Sequence, residues 1–453
     1  MIKSRIFLST ENYIMVNITQ VIAKDLNHIW HPCMQMKDFE TYPPLVIHEA
    51  KGSYLYTDQG RLIDGISSWW CKSLGHGHPA IVEAIKQQLK SFEQVIAANT
   101  THPLLAEFGE KIADITHKQH VFFASDGSSA VEIAMKLALH AMQIRGETHR
   151  RQFIALSHAY HGETLATISV SDLGLYKKPY AGYGVQCHFI QDIPYVQGNL
   201  DPLWHDCEKA WQTILPQLET IKDQACAVIV EPLVQGAGGM LCYSADFLNK
   251  LARWAKDNGL YFIADEIMTG MGRTGQWLAC QWADVEPDLV CLSKGLTAGA
   301  LPLSCVAIDH SIYTLFYDEY DKGKSFLHSH THSGNALAVS AALATIKVME
   351  TEGINEQARV LGELMHSLML EIAETTGKLS RVRSLGAIAA ADMEALPGQR
   401  ISFRFYQEAC QRGALLRPLG NTLYWLPPLN ADEKTIRQLA EITLNSLYGV
   451  YNN

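Results

Sequence analysis

The sequence predicts an α/β protein built on a mostly parallel, helix-covered sheet, with a second and smaller α+β lobe. Three observations carry this expectation. Short apolar runs alternate with helical patterns from about residue 76 to 344: Val121-Phe122-Phe123, Phe153 to Leu156, Cys226 to Val230, Tyr261 to Ala264, Leu289 to Leu292 and Ser304 to Ile308. Parallel strands need long crossover connections and are covered on both faces, so they read as continuous apolar runs between helices. Two of the runs then stop abruptly in charge, at Asp265-Glu266 and at Lys294. Strand ends are where parallel α/β sheets place their sites. Finally, 453 residues with 47% hydrophobic and 19% charged content suffice for a large core and more than one domain.

Taken in order, residues 1–75 read as an N-terminal segment contributing to a small domain. Within it Gly52 to Gly60 gives two extended pieces with a turn at Asp58 to Gly60. The chain opens with a basic start but only a very short apolar run before Glu11 and Asn12, so neither a signal peptide nor a membrane span is expected. A natural start at Met15 would make the preceding residues a disordered extension. Residues 76–344 form the large α/β domain, and a long helix from Gly334 to Glu352 leads into residues 345–453. That C-terminal part mixes helices with strands at Ala387 to Ala391 and Thr422 to Leu426.

A net charge of −10 disfavours nonspecific binding to nucleic acid or to an anionic membrane, and small molecules are the better partners. Ten scattered cysteines, none in a CxxC pair, fit reduced thiols in a cytoplasmic protein rather than a disulfide framework.

Lys294 is the candidate around which the chemistry turns. An ammonium at the end of a core strand must be paired or kept neutral for reaction, which points to a Schiff-base lysine. Asp265, at the end of a second strand, is a candidate fixed anion for a pyridine nitrogen, a charge that makes such a ring an electron sink. Asp126 to Glu132 follows a strand and opens a helix. Its glycine, free N–H groups and helix dipole suit phosphate, and Ser129 with Glu132 has capping-box spacing. A nicotinamide reading of Gly236 to Leu241 fails because the last glycine of GxGxxG is missing. His328, His330 and His332 would share a face of an extended segment, but no acidic or cysteine companion lies nearby, so no metal is expected. Trp69 and Trp70, adjacent on an extended segment, would point to opposite faces. Arg273 receives no direct role.

Ile263 to Ile267, Thr269 to Gly275, Pro287-Asp288 and Ser293 to Gly295, in this order and spacing, resemble the signature of the class III aminotransferases, which use pyridoxal 5'-phosphate. Ile29 to Pro32, Asp64 to Trp70, Ala159 to Gly162, Glu231 to Met240 and Leu416 to Pro418 look like the biotin-pathway branch of that family. The resemblance spans about residues 28 to 430.

It implies a fold-type I architecture with a mostly parallel seven-stranded sheet and a small domain built from both termini. Lys294 would form the Schiff base and shuttle the proton. Asp265 would hold the pyridine nitrogen, Gly127 and Ser128 the phosphate, and Tyr160 would stack on the ring and border the substrate. Thr331, with His330 beside it, would reach the cofactor of a neighbouring subunit in a homodimer with shared active sites. Trp69, Ser329, Cys33 and Arg417 would line the substrate, Arg417 on its carboxylate, with Glu231 a partner of the donor-binding region. The implied reaction is ping-pong transfer of an amino group from S-adenosylmethionine to 8-amino-7-oxononanoate, giving 7,8-diaminononanoate. Lysine as donor, or another ω-amino acid aminotransferase, are the alternatives; intact Lys294 and Asp265 argue against a non-catalytic regulator. Cys33 for a tyrosine and Glu163 for an aspartate depart from the family pattern and mark a changed donor pocket, and Ser329-His330 stand for glycine-proline in the loop that would reach the neighbouring subunit's cofactor.

Overall fold

The computed structural model describes residues 3–8 and 12–452. At its centre lies a seven-stranded sheet in the order His120–Ala124, Ser304–Ile308, Leu289–Leu292, Tyr261–Asp265, Ala225–Val230, Gln152–Leu156 and Cys187–Ile190. Only Ser304–Ile308 runs antiparallel to its neighbours. All six residues of Ala225–Val230 are buried, as are all five of Tyr261–Asp265, because helices cover both faces. Alternation within the strand divides the core: Phe262 and Ala264 pack on one face, Tyr261 and Ile263 on the other. Helix Gly127–Ile144 covers the second face through the helical stripe Ala130, Ala134, Leu137, Ala138 and Ala141.

The six expected strands all fall in this sheet. The seventh, Cys187–Ile190, lies at its edge with three of four residues only partly buried, so it carries no strong apolar run. Smaller sheets surround it. Ile47–Lys51, Tyr54–Thr57 and Gly60–Asp64 form an antiparallel meander, and Ala414–Leu415 joins it in parallel register with Ile63 and Asp64. One sheet therefore combines segments from both ends of the chain. Leu379–Ser384, Ala389–Met393 and Thr422–Trp425 form another. The Ala387 to Ala391 expectation is displaced to Ala389–Met393, and Leu379–Ser384 was not anticipated. Near the N-terminus Lys3–Leu8 pairs antiparallel with Asn12–Asn17, although a start at Met15 would make the residues before it a disordered extension; Met1, Ile2 and residues 9–11 lie outside the described residues.

Two local expectations are corrected. Trp69 and Trp70 do not lie on an extended segment: Ser67 to Trp70 all have positive φ, between 48° and 87°. Asp64, fully buried, holds this left-handed turn by accepting from Ser68 N at 2.9 Å, Ser68 Oγ at 2.7 Å and His76 Nε2 at 2.8 Å. The capping box is also absent. Asp126 caps the helix by accepting from Ser129 N at 3.0 Å, while Glu132 accepts from Thr164 Oγ1 at 2.6 Å, tying the loop after Tyr160 to the helix.

Candidate active site

The Asp265–Cys291 register pair places Asp265 at the end of one parallel strand, with Lys294 three residues beyond Cys291 at the same edge. Lys294 is partly buried, and its amine lies 5.2 Å from the centre of the Trp70 ring. Burial holds its ammonium below the usual lysine range, while the charges of Asp265 and Glu231 oppose that shift.

Asp265 is buried, and its two oxygens are separately held: Oδ2 lies 2.8 Å from His161 Nδ1, and Oδ1 accepts from Ile267 N at 3.2 Å. His161 is buried too, and its Nε2 has no partner among the described residues. The ring nitrogen that can donate is therefore Nδ1, which orients Asp265. In the sequence His161 lies within the Ala159 to Gly162 motif with no role of its own, and its position directly after Tyr160 is the one available signal.

Glu231 buries a second carboxylate here. Oε1 accepts from Tyr160 N at 2.9 Å and Oε2 from Gly236 N at 2.9 Å, so one side chain clamps two loops. Burial pushes the Glu231 carboxyl up to about 7, with His161 opposing and the Asp265 charge adding to the rise. Because the folded value exceeds the unfolded one, the group's stabilising contribution is complete below about 4.5 and is lost as pH rises through about 7. Between pH 5 and 8 it removes at most about 3 kcal/mol of stability. In Glu231→Gln the difference in unfolding stability between pH 5 and pH 8 is accordingly smaller than in the wild type, as denaturant titration at both pH values measures; equal differences in the two proteins would refute the assignment.

The end of the helix Gly127–Ile144 completes the inner site. Its first N–H groups have no acceptor within the helix, and Asp126 takes only that of Ser129, leaving those of Gly127 and Ser128 available to an anion. Space is set by missing side chains. A Cβ on Gly127 would stand 2.9 Å from Ile267 Cδ1, and one on Gly162, whose φ is +127°, would lie 2.2 Å from Ser128 Oγ. A cradle for an anion, a buried carboxylate and a lysine with lowered proton affinity converge, and the residues fit a phosphorylated pyridine aldehyde.

Tyr160 is partly buried, and its hydroxyl donates to Glu163 Oε1 at 3.0 Å. Burial raises its phenol, as does the Glu163 carboxylate. Farther out, Trp69 is 45% exposed while Trp70 is buried and donates Nε1 to Tyr424 Oη at 3.0 Å. The Arg417 guanidinium stacks 5.2 Å over the Trp69 ring and donates to the Cys33 carbonyl at 2.7 Å. Trp69, Cys33 and Arg417 thus form one outer group. Arg273 is buried and pairs with no carboxylate among the described residues, its Nη1 donating to the Ala387 and Pro427 carbonyls at 3.1 and 2.7 Å. Glu266 accepts from Thr269 Oγ1, Ala279 N and Cys280 N, fixing the Thr269 to Gly275 loop.

Among the described residues no contact joins Ser329, His330 or Thr331 to Lys294. Ser329 and Thr331 are exposed, and the Thr331 carbonyl accepts from Gln94 Nε2 at 3.3 Å. His328 and His330 do face one another, with Nε2 atoms 3.0 Å apart, whereas His332 is exposed in the following turn. No group of three metal-ligating side chains is present among the described residues.

Fold and site together define a lysine-dependent α/β enzyme with a phosphate cradle, the class of the pyridoxal-phosphate transaminases. The aminotransferase class-III family model matches residues 35–447, and the chain belongs to that family. Its cofactor is pyridoxal phosphate. Among its relatives, the adenosylmethionine-8-amino-7-oxononanoate aminotransferase of Helicobacter pylori is 36% identical, over 92% of this chain and 95% of that protein. The protein of the same name from Synechococcus elongatus is 38% identical, over 88% of this chain and 94% of its own length. A crystal structure of the Methanocaldococcus jannaschii protein of that name superposes with a TM-score of 0.88 at 30% identity, covering 96% of this chain and 99% of that one. A PLP-bound amine transaminase from an uncultivated Pseudomonas species gives 0.86 at 27% identity, covering 93% and 98% of the two chains.

Proposed function

We propose that the protein transfers an amino group from S-adenosylmethionine to 8-amino-7-oxononanoate, forming 7,8-diaminononanoate for biotin synthesis. The observation that carries the chemistry is the placement of Lys294 and Asp265 at one sheet edge, with the Gly127–Ser128 cradle alongside. The substrates rest on the relatives' shared name over nearly the whole chain.

Bound pyridoxal phosphate supplies a ring that stabilises negative charge at the carbon losing its proton. Asp265, oriented by His161, keeps a negative charge against the ring nitrogen, and the N–H groups of Gly127 and Ser128 with Ser128 Oγ hold the phosphate. Tyr160, fixed through its backbone by Glu231, would lie against the cofactor. Lys294 Nζ would hold the cofactor and, when free, would carry the proton taken from the donor's α-carbon. Lowered proton affinity suits it to that work. Trp69 lines the alkyl chain of the acceptor, and Arg417 leaves the Cys33 carbonyl to pair with a substrate carboxylate. Ser329, His330 and Thr331, which make no contact with Lys294 among the described residues of their own chain, serve the site of a second copy, which makes the working form a homodimer. Ten free cysteines, seven of them buried, fit a cytoplasmic location.

Incubating the purified protein with 8-amino-7-oxononanoate and either S-adenosylmethionine or lysine tests the assignment. The expected product, 7,8-diaminononanoate by mass spectrometry, forms with S-adenosylmethionine. Product with lysine alone overturns the donor, and none with either overturns the acceptor.

A further inference from the structure

Each residue from Ser67 to Trp70 stands in the left-handed region, with φ of 48°, 49°, 87° and 72°. Trp70 N donates to Ile66 O at 2.9 Å and Cys71 N to Ser67 O at 3.0 Å, which closes one turn of left-handed helix. None of the four is glycine. L-residues visit this conformation singly, because Cβ crowds the following carbonyl oxygen. Such strain persists only where the surroundings impose it, and it gathers at sites that use it.

The imposing groups lie outside the reacting centre. Asp64 is fully buried and His76 is 9% exposed. Oδ1 of Asp64 accepts from Ser68 N, while Oδ2 accepts from Ser68 Oγ and from His76 Nε2, all within 2.9 Å. One carboxylate thus grips Ser68 by main chain and side chain, and His76 completes it from beyond the turn. His76 is itself fixed, its N donating to Gly52 O at 2.8 Å and its carbonyl accepting from Gly52 N at 2.9 Å. Ser67 offers the contrast: its buried Oγ has no partner among the described residues, so it adds strain and no side-chain hydrogen bond.

The turn aims its two tryptophans at different places. Trp70 is fastened inward through Tyr424 Oη, with its ring 5.2 Å from Lys294 Nζ, whereas Trp69 projects outward, where the Arg417 guanidinium stacks on it at 5.2 Å. An apolar face and a cation held at that spacing match an alkyl chain that ends in a carboxylate. Released from the left-handed region, the backbone would carry Trp69 off that line.

We infer that Asp64 and His76 are positioning residues for the acceptor, holding the strained turn so that Trp69 stays opposite Arg417. The inference rests on the acceptor role given to Trp69 above. It places the control of acceptor binding in a buried carboxylate and imidazole behind the turn.

Steady-state and single-turnover kinetics of the holoenzyme test it. Asp64→Asn sets an amide N–H against the donors of Ser68 and His76. KM for 8-amino-7-oxononanoate rises about 10-fold or more, while the single-turnover half-reaction with the amino donor stays within about twofold. Adding Ser67→Gly to Asp64→Asn recovers about threefold or more of that loss, because glycine takes a left-handed φ freely and the Ser67 side chain gives up no hydrogen bond. A merely structural carboxylate would show no such recovery. His76→Gln, which still carries a donor, keeps acceptor KM within about twofold, and His76→Leu raises it as Asp64→Asn does. That pair decides the matter if Asp64→Asn fails to fold. Where Trp69→Ala raises acceptor KM, the positioning role alone is overturned by an unchanged acceptor KM in Asp64→Asn and His76→Leu, by equal losses in both half-reactions, or by no recovery with Ser67→Gly. An unchanged acceptor KM in Trp69→Ala, or no turnover of 8-amino-7-oxononanoate by the wild type, overturns the reading beneath it and the inference together.

Discussion

Lys294→Ala transaminates roughly 10³-fold more slowly than the wild type, or worse, because one atom is assigned two tasks, anchoring the cofactor and carrying the proton. Stability does not follow activity down. Among the described residues Lys294 Nζ makes no hydrogen bond or ion pair, and it lies over the Trp70 ring at 5.2 Å in a site that burial makes unfavourable for charge. Removing it relieves a desolvated amine, so the melting temperature of the cofactor-free variant stays close to that of the wild type. Single-turnover conversion of the pyridoxal form by donor measures the first effect and differential scanning calorimetry the second. A variant that retains wild-type turnover would remove Lys294 from the mechanism.

Asp265→Asn is the second large loss, about 10²–10³-fold in the amino-transfer half-reaction, the scale set by one misplaced electrostatic group in an enclosed site. The amide is nearly isosteric but lacks the charge. It also faces a conflict that the carboxylate avoids. Asp265 accepts on both oxygens, from Ile267 N and from His161 Nδ1, and the amide nitrogen can satisfy neither. The absorbance titration of the bound cofactor therefore shifts its midpoint in this variant, while far-ultraviolet circular dichroism is unchanged. An unshifted titration with full activity would refute the role given to Asp265.

The central sheet and its two charged strand ends were legible because burial on both faces writes a parallel strand as an apolar run, and a charge that terminates such a run stands out. Lys294 and Asp265 declared themselves in that way. Cys187–Ile190 did not, since an edge strand containing His188 is only partly buried and need not be apolar. The left-handed Ser67 to Trp70 turn was hidden because Asp64 and His76 impose it from neighbouring segments, and no local propensity of Ser-Ser-Trp-Trp encodes it. Glu132 was read as part of a cap on spacing alone, whereas its partner Thr164 is distant in sequence. His161 and Glu231 share this difficulty: each acts through atoms contributed by another strand end, visible only once the sheet has been assembled.

The pairing of Ala414–Leu415 with Ile63 and Asp64 sets an order of events during synthesis. Asp64 leads directly into the turn that carries Trp69, and Leu415 leads directly to Arg417, so both outer residues are placed by one short ladder between the beginning and the end of the chain. The ribosome has released nearly the entire polypeptide before that ladder can close. A nascent chain halted after the strand Ser304–Ile308 already contains every strand of the central sheet, with Lys294 and Asp265 at its edge, yet lacks the short strand that sets Arg417 over Trp69. The outer wall of the site is the last part of it to be placed.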